Sequence, residues 1–180
     1  MAELRMVWAV LAMGVAAAAI AVAPSAPALA QATAAKDLPL AVDRYARAWA
    51  SRDPAQIAAL HTGDSVFHLV IDGEEPVTGR AAIAARFARI LADNPAYSST
   101  PRSVAFGADF VVIEYDFVMD PPRPFVMGRW RYEPGSQAYM VPAIDIITFR
   151  DGLVTRKVTY LDTAVVGANS LKVTRTRVAK

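Results

Sequence analysis

The stretch Val141-Pro142-Ala143-Ile144-Asp145-Ile146-Ile147-Thr148-Phe149-Arg150-Asp151-Gly152 decides the fold. Its β-branched and aromatic residues predict a strand over Ala138–Arg150. Asp151-Gly152 is a turn dipeptide that returns the chain into a second strand, Leu153–Leu161. Side chains alternate faces along a strand, so Asp145 shares its face with Ala143, Ile147 and Phe149. A carboxyl group is thereby placed among apolar neighbours.

Working outward, the same period of two predicts strands at Ser103–Phe106, Phe110–Met119 and Phe125–Tyr132. Pro121-Pro122-Arg123-Pro124 and Glu133-Pro134-Gly135-Ser136 separate them. Upstream the period changes. Leu38, Val42, Tyr45, Ala46, Trp49 and Ala50 recur in steps that mark one helical face, with Asp43, Arg44, Arg47 and Arg52 opposite. Asp53 caps a second helix whose first residue is Pro54, with Ile57 and Leu60 inward and His61 at its C-terminus as a partner for the helix dipole. Ser65–Ile71 reads as a strand, Asp72–Pro76 as a turn, and Thr78 as the cap of a third helix over Arg80–Asp93 carrying Ile83, Phe87, Ile90 and Leu91. Helices followed by an antiparallel meander define an α+β chain with its helices on one face of a curved sheet. The end, Thr163–Lys180, carries Lys172, Arg175, Arg177 and Lys180 and no acid, and reads as a basic, solvated tail.

Composition narrows the class. The 180 residues are 54% hydrophobic, which excludes a disordered chain and suits one domain with a substantial core. The absence of Cys excludes disulfides and thiolate metal sites, and two His cannot build a three-histidine centre. Nineteen basic against 17 acidic residues give no nucleic-acid signature, and no aromatic residue interleaves with the basic tail. Val7–Ala23 is an uncharged apolar run behind Arg5, followed by Pro24, Pro27 and Ala28-Leu29-Ala30. This pattern predicts a signal peptide over 1–30, cut between Ala30 and Gln31, and export to the periplasm or beyond, with no stable membrane insertion afterwards. Residues 31–37 form a polar, Ala-rich leader, and the domain proper runs over 38–163.

Three motifs in this order resemble the nuclear transport factor 2-like superfamily, and within it the SnoaL-like cyclases and ketosteroid isomerases. They are Val42-Asp43-Arg44-Tyr45-Ala46 with Asp53 and Leu60; Gly79-Arg80-Ala81-Ala82-Ile83; and Val141–Asp145 through Thr148–Gly152. The resemblance implies a cone, in which a strongly curved, mostly antiparallel sheet and three N-terminal helices surround an apolar pocket. It also implies a homodimer through the outer sheet face, and chemistry without a cofactor or metal.

Tyr45 and Asp145 are the candidate catalytic pair. Burial among apolar side chains favours the neutral carboxylic acid, which donates a hydrogen bond, and Tyr45 brings a hydroxyl into the same interior. Two neutral donors on one apolar pocket suit a ligand carbonyl or a developing enolate. The resemblance implies the same two positions: Tyr45 falls on the isomerase tyrosine and Asp145 on its oxyanion-hole aspartate, the acid/base of the SnoaL-like cyclases. The isomerase general base, counted from Tyr45, falls on Leu69, which cannot take a proton. His68 is the nearest titratable neighbour and becomes the third catalytic candidate, although alternation demands a local bulge to turn it inward. Asp72, in the following turn, is an alternative. Trp49, Leu69, Phe87, Tyr115 and Ile147 are expected to line the pocket. Arg156 and Lys157 alternate sides, so one points inward toward Asp145 or Asp162; an Arg156 pair would leave Asp145 ionised. Glu114 and Asp116 face outward and, with no His nearby, make no metal site.

The expected ligand is a small hydrophobic carbonyl compound, polyketide- or steroid-like. Acid/base isomerase, cyclase or lyase chemistry on it, non-catalytic carriage in the same pocket, and protein docking on the outer sheet face all stay open.

Overall fold

The computed structural model describes the backbone of residues 26–176 and side chains from Asp37. The apolar run of the expected signal peptide lies outside these residues. Helix α1 spans Ala26–Ser51, and so passes through both the expected cleavage point and the leader. From Leu38 onward its buried face carries Leu38, Ala41, Tyr45 and Ala48, as the spacing predicts. Helix α2 (Pro54–Ala59) is capped as expected: Asp53 Oδ1 accepts from the amides of Ala55 at 2.8 Å and Gln56 at 3.3 Å.

Two expectations fail at the next boundaries. His61 does not end helix α2; it is the first residue of β1 (His61–Val70). Thr78 does not cap the third helix; it belongs to the short strand β2 (Val77–Thr78), paired with Val66, and Gly79 holds the cap position at φ 92°. Glycine tolerates that backbone where other residues are strained. Helix α3 (Arg80–Asp93) then buries Ile83, Phe87 and Leu91.

Strands β3 (Ser99–Phe106), β4 (Phe110–Met119), β7 (Tyr139–Arg150) and β8 (Leu153–Leu161) join β1 and β2 in one curved sheet of order β2-β1-β8-β7-β4-β3. Only the β1–β8 pairing is parallel. Asp151 (φ 53°) and Gly152 (φ 73°) make the expected tight turn between β7 and β8.

The strand expected over Phe125–Tyr132 is broken. It is a hairpin of β5 (Phe125–Met127) and β6 (Trp130–Pro134), turned at Gly128. The expected basic tail is also ordered structure through Arg175. Asp162 caps helix α4 (Thr163–Ala168), and β9 (Ser170–Arg175) pairs with β6 to complete a second sheet, β5-β6-β9. Leu171 and Val173 alternate with Lys172 and Thr174 along that strand, and Val166 of α4 is fully buried.

The core is continuous across two regions. One packs α1, α2 and α3 on the inner face of the sheet through Ile57, Phe67, Ile83, Phe87, Val111 and Ile147. The other lies beneath the second sheet and α4 and contains Tyr115, Phe117, Phe125, Tyr132, Val141 and Val166. The result is an α+β cone with a mostly antiparallel curved sheet, the expected architecture, closed at one end by elements that the expected domain left out.

Candidate active site

The inward series on β7 is Val141, Ala143, Asp145, Ile147 and Phe149, all buried. The register sets Thr159 directly opposite Asp145, with Lys157 two pairs along on the same face, opposite Ile147. Both reach the carboxyl. Lys157 Nζ donates to Asp145 Oδ2 in a very short contact, and Thr159 Oγ1 donates to Oδ1 at 2.6 Å. Tyr115 of β4 adds a longer bond to Oδ1, 3.3 Å. All three partners donate, so Asp145 acts here as a carboxylate acceptor and not as the expected neutral donor. Arg156 is exposed on the other face, and the inward residue of that pair is Lys157.

Lys157 is buried, with a side chain 5% exposed. Burial pulls its ammonium below the ordinary lysine value, and Asp145 offsets part of that fall. Its Nζ lies 5.5 Å from the Trp49 ring centroid and 5.9 Å from that of Tyr45, within cation–π reach.

Tyr45 is buried as expected, but its hydroxyl does not meet Asp145. It lies 2.9 Å from His61 Nε2, and His61 Nδ1 lies 2.9 Å from Ser65 Oγ. This buried chain is closed from outside by the Arg80 guanidinium, which donates twice to the His61 carbonyl, at 2.7 and 3.0 Å. Burial, with the charges of Lys157 and Arg80, pushes the imidazole down to about 3, so it is neutral at physiological pH. Burial also holds the phenols of Tyr45, Tyr97 and Tyr115 above the ordinary tyrosine value, leaving them protonated.

Two adjoining cavities, the lobes of the site, share a wall at this cluster. The larger lobe, about 390 Å³, lies between α1 and strands β3, β4 and β7 and exposes Val42, Tyr45, Arg52, Ile113, Asp145 and Ile147. The smaller, about 100 Å³, lies between α3 and strands β4, β5 and β8, with Leu69, Phe117, Met119, Phe125, Met127 and Leu161 in its wall. Trp49, Tyr97, Tyr115 and Lys157 line both lobes. The larger lobe falls in the size range of small-molecule sites, roughly 300–1,000 Å³.

Of the expected lining residues, Trp49, Leu69, Tyr115 and Ile147 face the cavity. Phe87 does not. It is fully buried behind the wall, with its ring centroid 4.8 Å from Trp49 and 5.0 Å from Phe67. His68 lies on the opposite face of β1 from Phe67 and Leu69, in register with Val158. The irregularity in β1 falls between His61 and Val66, upstream of His68, so no bulge turns it inward. Asp72 is exposed in its turn, 3.6 Å from Arg129. Neither lines the cavity. Among the described residues no cluster of three His, Asp or Glu could hold a metal, and no helix is long and apolar enough to cross a membrane.

The sequence reading did not single out Thr159, Tyr97 or the His61–Ser65 chain. Parity across the Asp151-Gly152 turn would set Val158 opposite Asp145; an extra residue in β8 puts Thr159 there instead. The others depend on contacts between distant elements.

A cone with polar side chains converging on an inner apolar cavity defines the class as a small-molecule-binding α+β domain. The sequence profile of the SnoaL-like domain matches residues 42–157, and the chain belongs to that family. No curated protein sequence matches the chain. Among solved structures it is similar to a hypothetical protein with a ketosteroid isomerase-like fold from Catenulispora acidiphila in complex with trimethylamine (21% identity, 73% of this chain and 92% of that one, TM-score 0.61). It is also similar to a putative SnoaL-like polyketide cyclase from Jannaschia (21% identity, 73% and 92%, TM-score 0.60). A third likeness is to AclR, a putative hydroxylase from Streptomyces galilaeus (16% identity, 74% and 84%, TM-score 0.60). At these identities the likeness establishes the fold.

Proposed function

We propose that this protein binds a small hydrophobic carbonyl compound, polyketide- or steroid-like, and moves a proton on the carbon next to the carbonyl without a cofactor. The observation that carries this reading is Asp145, a carboxylate in the wall of an apolar cavity with an ammonium at its side. Asp145 takes and returns the proton. The indole N–H of Trp49, a residue of the same wall, is buried without a partner and would donate to a ligand oxygen after a small movement of its ring. Tyr45 shapes the lobe and, through His61, is held in place. Neither His68 nor Asp72 has a part in this reading, since neither reaches the cavity.

The test is exchange of deuterium from solvent into the position next to the carbonyl of a steroid ketone or an aromatic polyketide, followed by NMR. Asp145→Asn is expected to slow exchange by roughly 100-fold or more, the range of general-base effects. Exchange unchanged in that variant would exclude Asp145 as the base. The second reading, a carrier, draws on one observation: three protein donors already occupy the Asp145 oxygens. Saturable binding with no exchange would establish carriage.

The chain is further proposed to be exported, with its leader cut near Ala30-Gln31, and to form a homodimer through the outer sheet face. Mass measurement of the protein recovered from the producing cell's periplasm or medium tests the first.

A further inference from the structure

We propose that Lys157 is an amine nucleophile, condensing reversibly with one carbonyl of a β-dicarbonyl ligand while Asp145 carries the proton. The inference rests on the reading that the cavity takes a carbonyl compound, and it adds a covalent step and a substrate class to that reading.

The geometry supplies three requirements. First, Lys157 belongs to the wall of both lobes, beside the Asp145 carboxyl that faces the larger one. Second, its ammonium is poorly satisfied. It carries three N–H donors but has one hydrogen-bond acceptor, Asp145 Oδ2, and otherwise meets the rings of Trp49 and Tyr45. A buried charge with unmet donors is costly, and the neutral amine relieves that cost. Burial accordingly lowers the ammonium's affinity for its proton. Third, the Trp49 indole N–H in the shared wall is buried without a partner. A β-dicarbonyl has two oxygens: one leaves as water, and the other remains to accept from Trp49.

The step balances without an oxidant or reductant. The Lys157 ammonium passes a proton to Asp145 Oδ2. The freed lone pair attacks the carbonyl carbon, forming the C–N bond, and the nitrogen's proton moves to the former carbonyl oxygen. Asp145 protonates the resulting hydroxyl as the C–O bond breaks and water departs. Asp145, again a carboxylate, takes a proton from the carbon between the two carbonyl positions, which gives a neutral enaminone. Ammonium, carboxylate and diketone become enaminone, water and a protonated Asp145, which returns its proton to solvent.

The probe is 1-phenylbutane-1,3-dione added to the full chain. The readouts are near-ultraviolet absorbance of the enaminone, intact mass, peptide mapping, and quenching of tryptophan fluorescence as an independent report of binding. The expected result is one adduct per chain, heavier by the diketone less one water, mapping to Lys157. It should form at lower pH than an adduct of an exposed lysine. Lys157→Arg, which keeps the charge beside Asp145, should abolish it, and Lys172→Arg on exposed β9 should retain it. Mapping on the unaltered chain decides the matter even where Lys157→Arg fails to fold. Fluorescence quenching with no adduct would overturn the nucleophile and leave the carbonyl-binding reading standing. An adduct confined to other lysines would overturn it too. Neither quenching nor adduct on folded protein would overturn both.

Discussion

At the scale of single residues, the Asp145–Lys157 pair sets the energetics of the site. Removing one partner of a buried ion pair strands the other charge, at a cost of about 3–5 kcal/mol, whereas removing both together is often close to neutral. Lys157→Met and Asp145→Asn should each destabilise the fold by roughly that amount, and the double variant should recover most of the loss; urea unfolding of the three variants checks this. His61 gives a second prediction. Its folded-state value, about 3, is below the 6.5 of the unfolded chain, so below pH 6.5 the unfolded state binds more protons. Its contribution is complete above 6.5 and is lost as pH falls toward 3, at up to about 1.4 kcal/mol per pH unit. Between pH 6.5 and 5, where most carboxylates are still ionised, the stability of His61→Gln should depend less on pH than that of the natural chain. Equal slopes in that window would mean that the imidazole is charged when folded.

At the scale of elements, what could be read ahead and what could not differ for physical reasons. The tight turn at Asp151-Gly152, the cap at Asp53-Pro54 and the strand through Asp145 follow from local rules, and each stands where the sequence places it. The choice between Arg156 and Lys157 does not. From the turn, Arg150 faces Leu153 and Phe149 faces Val154, but Thr148 then faces Arg156. One extra residue, Thr155, enters β8 there as a bulge, its Oγ1 donating to the Thr148 carbonyl at 3.2 Å. That single residue turns Lys157 inward and Arg156 out, and no local periodicity announces it. The β5–β6 hairpin was hidden in the same way, because its turn is made by packing. A Cβ on Gly128 would lie 1.9 Å from the Asp72 carbonyl oxygen, at a φ of 57°. The Gly128 amide donates to Glu74 and the Arg129 amide to Asp72, which anchors the hairpin on the β1–β2 turn. Gly128→Ala should cost about 1–3 kcal/mol through clash and backbone strain, measured as a lower melting temperature. A neutral substitution would mean that the hairpin can lift from that turn.

At the scale of the whole molecule, the curved sheet has two unlike faces. The inner one holds the cavity. The outer one carries apolar residues where solvent would favour polar ones: Met140 (53% exposed), Ile144 (42%) and Tyr160 (46%) lie on β7 and β8, with Ile144 directly opposite Tyr160. Half-buried Pro142, Ile146 and Val118 share the face with them. Glu114 and the Arg102-paired Asp116 of β4 lie opposite Ile144 and Pro142, so the apolar residues form a patch bordered by charge, a pattern that suits an association surface. Self-association is the simplest occupant for a patch on one face, because a two-fold axis covers both copies with one contact. The expected outcome is a dimer by sedimentation equilibrium. Ile144→Lys combined with Tyr160→Lys should shift it to monomer, since two charges per copy would be brought together and desolvated at the contact. Asp145 points the opposite way from Ile144 along β7, so the same variant should keep ligand binding. Loss of dimerisation together with binding would tie the cavity to the assembly, and an unaltered monomer in the natural chain would leave the outer face to another partner.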